Sequence, residues 1–88
     1  MSYKYEEIKP RIFTEEGQRI FLSIRDKANQ LLKVAGAVRM QELIQGHSGS
    51  NWDMIACVDR LVELGEIREI TVAGRVAGQH RVFVSLRE

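Results

Sequence analysis

The sequence holds one cysteine, so Cys57 can form no disulfide within the chain. It falls inside an apolar helical pattern, and the expectation is a packed thiol rather than a reactive one. There are two histidines, His47 and His80, and no His/Cys spacing of the metal-finger kind. Neither a phosphate-cradling GxxxxGK[ST] loop nor a strand–GxGxxG–helix unit occurs. The adjacent acids Glu6 and Glu7, and Glu15 and Glu16, fit a solvated face. No catalytic residue, metal site or cofactor is expected, and catalysis is set aside.

Long apolar runs are missing too. The longest, near "VAGAV", is about five residues, far short of the roughly 20 that a membrane-spanning helix needs. The opening "MSYKYEEIKP" lacks the apolar core of a signal peptide, so a cytoplasmic protein is the expectation. Charge of one sign is absent as well. The formal net charge is +1, so the chain carries no polybasic signature, although 28% charged residues argue for a well-solvated surface. Eighty-eight residues make one small domain.

What is present reads as helices followed by strands. Residues 1–13 contain Tyr3, Tyr5, Ile8, Ile12 and Phe13, interrupted by Pro10. They are too apolar for a loose tag and too irregular for a helix, and they predict an arm packed against the domain or against a second copy. At Thr14 a hydroxyl N-cap is followed by Glu15 and Glu16, whose charges complement the helix dipole. Ile20, Phe21, Ile24, Ala28, Leu31 and Leu32 then recur at helical spacing, predicting a helix over 14–33. Gly36 breaks the pattern. A shorter helix in "RMQELIQ" has Met40, Leu43 and Ile44 as its apolar side and stops at Gly46. After the turn "GHSGS", Ser50 begins a third helix, with Asp53 placed as in a shortened capping box. Met54, Cys57, Val58, Leu61 and Val62 form its apolar stripe, and Gly65 ends it. The period then changes to two. In "EIREITV", Arg68, Ile70 and Val72 alternate with Glu69 and Thr71. In "HRVFVSL", Val82, Val84 and Leu86 alternate with Arg81, Phe83 and Ser85. The connection "AGRVAGQ" suits a hairpin with a long loop.

Three helices and a hairpin in that order, with "MQELIQG", "SNWDMIACVDRLVELGEI" and "AGRVAGQ", resemble the winged helix-turn-helix superfamily over residues 14–87. Leu61, Gly65 and Ile67 stand where that family packs its third helix on its first, turns the chain and opens the first wing strand. The resemblance implies an α+β winged-helix fold, a three-helix helix-turn-helix core followed by a β-hairpin wing. Residues 14–88 would form the domain and residues 1–13 an N-terminal arm.

In members that bind DNA, the third helix enters the major groove. Position by position, the resemblance puts Ser50, Asn51, Trp52, Ile55, Ala56 and Asp59 on or near that face. Asn51 would read an adenine edge and Ser50 reach a phosphate. In the wing, Arg75, His80 and Arg81 would meet phosphates or the minor groove. Arg39 at the start of the second helix, Ser48 and Arg60 complete the candidate DNA contacts, with helix N-terminal amides assisting.

The charges of the third helix oppose this reading. From Ser50 to Gly65 there are three acids, Asp53, Asp59 and Glu63, against the single base Arg60, where a DNA surface needs several bases. Two functions are therefore expected. One is a small DNA-binding transcriptional regulator, dimeric through the N-terminal arm and the first helix. The other is a protein-interaction module in which Trp52 anchors a partner and the three acids face a basic one.

Overall fold

The structure, a computed structural model, describes residues 3–47, 50–70 and 81–86. It is α+β, mostly helical with a small antiparallel sheet. The expected wing loop over 73–79, with Arg75, lies outside the described residues, as do Ser48 and His80.

The arm is the first departure from expectation. It folds into a one-turn helix α1 (Tyr5–Ile8) and a 3-10 helix (Lys9–Phe13) with Pro10 in its first turn. Ile8 and Ile12 are buried in the same core as the rest of the molecule. Thr14 then caps the long helix α2 (Glu15–Ala35) as its sequence predicts, its hydroxyl oxygen accepting from the Gly17 N–H at 3.0 Å. That hydroxyl also donates to the Arg11 carbonyl at 2.8 Å, and the Gln18 side-chain amide donates to the Ile12 carbonyl at 2.7 Å. Gly17 explains how the arm comes so close. A Cβ on it would stand 2.0 Å from the Arg11 carbonyl oxygen and 2.7 Å from that of Ile12, so only glycine lets the 3-10 helix lie on α2.

Gly36, at φ 79°, ends α2 in the left-handed conformation. A strand β1 (Ala37–Arg39) follows, which the sequence pattern does not announce. Three residues with one inward side chain, Val38, are too few to display a period, and the strand exists because the later strand Val82–Ser85 pairs with it. Helix α3 (Met40–Ile44) starts with the Arg39 N–H donating to the Glu42 carboxylate at 3.0 Å. Helix α4 (Asn51–Glu63) begins after Ser50, whose side chain makes no capping hydrogen bond. The shortened capping box is thus not formed: Asp53 is drawn to Arg11 instead, at 3.1 Å.

Strands β2 (Ile67–Ile70) and β3 (Val82–Ser85) complete a sheet of order β1-β3-β2, antiparallel throughout. Val38 registers with Phe83 and Phe83 with Glu69. Phe83, Val38 and Ile67 fill the core side and are fully buried. The run Val82, Val84 and Leu86 looks outward; Leu86 is half exposed. Alternation sets which residues share a face, and the large Phe83 decides which face turns inward.

Helix α4 is the centre of the molecule. Met54, Cys57, Val58 and Leu61 pack toward α2 and α3. The 3-10 helix and α1 lie against its other side. Val62, expected in the buried stripe, is only half-buried at the margin. Among the described residues no helix is long and apolar enough to cross a membrane.

Candidate functional site

The site singled out by the sequence is the outer face of α4, and the arm occupies it. Each acid of the helix is engaged. Asp53 accepts from Arg11 at 3.1 Å. Asp59 accepts from the Tyr3 hydroxyl at 2.6 Å and from Arg81 at 2.8 Å. Glu63 takes the Tyr5 hydroxyl at 2.7 Å, Lys9 at 2.9 Å and Arg60 at 2.7 Å. The basic partner that these acids call for is the chain's own N-terminus.

Ala56 marks the middle of the covered area. On a helix surface its neighbours are the residues three and four positions away: Trp52, Asp53, Asp59 and Arg60. All four meet the arm. Trp52 stands edge-on to Tyr3 with ring centroids 6.3 Å apart. Arg60 lies over the Phe13 ring at 5.3 Å, and the two acids hold Arg11 and Tyr3. Ala56 is accordingly fully buried. Its small side chain lets the arm approach.

The electrostatics follow from these contacts. Hydrogen bonds from Lys9, Tyr5 and Arg60 hold Glu63 down at about 2, against an ordinary 4.5. Burial, and then the hydrogen bond to Asp59, pushes the Tyr3 phenol well above its ordinary 10. Burial and Glu63 do the same to Tyr5. Cys57, pushed up to about 12 by burial and by nearby Asp53, is a packed thiol.

The candidate DNA contacts are not gathered into one surface. Arg81 does not reach outward. It accepts burial to clamp α4 to β2, bonding Asp59 at 2.8 Å and Glu69 through two nitrogens at 2.9 and 3.0 Å. Burial opposes its charge, but the hydrogen bonds to Glu69 and Asp59 outweigh this and raise its pKa. Arg60 turns to Phe13 and Glu63, on the arm side. Trp52 is half-buried against Tyr3 rather than standing free as an anchor. Arg39 is exposed at the start of α3, 3.5 Å from Glu42. Ser50 and Asn51 are exposed at the start of α4. Of the described candidates, only Arg39, Ser50 and Asn51 remain at the surface.

The residues that sequence reasoning missed are those of the arm: Tyr3, Tyr5, Lys9 and Arg11. A signal existed. Three unneutralised acids on one helix face a segment that carries two phenols and several bases. No group of three His, Cys, Asp or Glu among the described residues could hold a metal ion. Compared with protein-family models, curated proteins and solved structures, the chain matches none of them.

Proposed function

We propose that the chain is a winged-helix-type module that works by binding protein rather than by reading DNA. The winged-helix assignment is supported by the order of its parts: α3 and α4 as the helix-turn-helix, β2 and β3 as the wing strands, β1 as a third strand beside them. The observation that carries the functional reading is the burial of Ala56 under the arm. A recognition helix that enters the major groove needs that face bare. Opening it would expose Ile8 and Ile12, each worth roughly 1.5–3 kcal/mol of burial.

DNA binding is the second reading, and one observation favours it. Every acid of α4 is paired within the chain, so the helix does not confront phosphates with bare charge. Asn51 and Ser50 at its exposed start, with Arg39, Arg75 and His80, would make the contacts.

Fluorescence anisotropy with random duplex DNA at low and moderate salt separates the two. The protein reading expects no binding even at low salt. Salt-weakened binding, with a salt slope that shrinks in Arg39→Ala/Arg75→Ala, would overturn it.

A further inference from the structure

The turn that leaves α3 toward α4 is fastened to α2 at two points. The Lys27 ammonium donates to the Gln45 carbonyl, and the Ser23 hydroxyl meets His47 Nδ1 at 3.2 Å. Ser23 and Lys27 are one helical turn apart on α2, with Arg19 one turn before Ser23, so the three share a face of the helix. The other ring nitrogen stands apart. His47 Nε2 is closed off from solvent and has no hydrogen-bond partner, the single such side-chain atom among the described residues. A buried polar atom left unpaired costs free energy, and it constrains the protonation of the ring. A neutral imidazole meets the constraint: the proton sits on Nδ1, donated to the Ser23 oxygen, and Nε2 keeps only a lone pair. A protonated ring cannot meet it, because the N–H on Nε2 would have no acceptor.

We propose that His47 is a pH-sensitive latch: neutral, it holds the turn after α3 on α2, and protonated it lets the turn go. The charges around it act in that direction. From α2, the cations Lys27 and Arg19 act on the ring, and Arg19 is also paired with Glu16. Asp26 of the same helix is exposed, and among the described residues it forms no ion pair with His47. The one charged residue of α3 is Glu42, which is turned to the Arg39 N–H at 3.0 Å and to its guanidinium at 3.5 Å. In the first turn of α4 it is Asp53, held by Arg11 at 3.1 Å. No described acid of these elements stabilises an imidazolium. Burial, and then Lys27 and Arg19, lower the pKa of His47 below its ordinary 6.5. The folded ring thus holds its proton less tightly than the unfolded one. The latch contributes fully above 6.5, and its contribution is lost as pH falls through the lowered value. Its release frees the Gln45 and His47 amides, now bonded to the Gln41 carbonyl at 3.0 Å and the Ile44 carbonyl at 3.4 Å. The exposed start of α4, Ser50 and Asn51, follows three residues later. The latch works alike whether that surface meets protein or DNA.

Amide hydrogen exchange of the full chain by NMR, from about pH 7.5 to about pH 5 and with the His47 ring signal followed alongside, tests the latch. The ring is expected to titrate below 6.5. As it does so, the protection factors of the Gln45 and His47 amides should fall several-fold. Gly36, whose N–H is bonded to the Leu32 carbonyl at 2.9 Å at the far end of α2, should keep its protection. In His47→Gln, which cannot take up a proton in this range, Gln45 should stay equally protected throughout, whereas His80→Gln should behave as the wild type does. A ring that titrates at or above 6.5, or turn amides equally protected at both ends of the range, would overturn the proposal. Both are read on the wild type, so a His47→Gln chain that does not fold leaves the test intact. A loss of protection that persists in His47→Gln would overturn it as well, since the titrating group would then lie elsewhere.

Discussion

Ala56 is an unremarkable residue by composition, yet its surroundings decide how the outer face of α4 is used. Its position on the helix was legible in the sequence, which sets it among the residues opposite the apolar stripe. Its burial was not, because the cover comes from residues more than forty positions earlier, through the Arg11–Asp53 and Tyr3–Asp59 contacts. A larger side chain at this point has nowhere to go. Ala56→Leu should destabilise the fold by about 1–3 kcal/mol, the usual cost of overpacking, measured by urea denaturation. A helix face open to solvent would take the leucine with no such loss. Arg81 teaches a related point. As one of three arginines in a wing sequence without an acid it invited a phosphate contact; beside Asp59 and Glu69 it has internal partners instead.

Among elements, those whose ends are set by local chemistry were read closely. Helix α2 was expected over 14–33 and spans Glu15–Ala35, since the Thr14 cap and the left-handed Gly36 act within a few residues of themselves. Strand β1 was missed because its stability resides in β3, and the capping box at Ser50 failed because Asp53 found Arg11 instead. The arm on α4 is held mainly by burial. Its ion pairs are largely solvent-exposed and contribute little, whereas Ile8 and Ile12 lie inside the core. The pairs orient what burial holds, and they leave a signature in pH. Glu63 titrates near 2 in the fold against an ordinary 4.5. Its lowered pKa means that its contribution is fully present above about 4.5 and is lost as pH falls toward 2. The melting temperature of Glu63→Gln should therefore lie below that of the wild type at neutral pH. The gap should close across that acid window, as followed by thermal melts at stepped pH. A gap that stays constant into acid would mean that Glu63 is not held by Lys9, Tyr5 and Arg60.

For the whole molecule, the described residues form one core in which α4 is sandwiched between α2 and the arm. Residues 3–13 are therefore part of the fold rather than an appendage, and the apolar surface expected to be spare for a partner is mostly spent within the chain. The acids of α4, which seemed to face a foreign basic surface, are answered from inside. The chain carries its own reporters of this arrangement. Both of its tyrosines, Tyr3 and Tyr5, lie in the arm, and both phenols are held above their ordinary 10 by burial and by hydrogen bonds to Asp59 and Glu63. An alkaline titration of tyrosine absorbance thus reads arm docking and nothing else. Two phenols that stay protonated well past pH 10, and that return toward 10 in Asp59→Asn/Glu63→Gln, are the predicted result. Two phenols that ionise near 10 in the wild type would contradict the account, because the arm would then be off the helix and the face of α4 free.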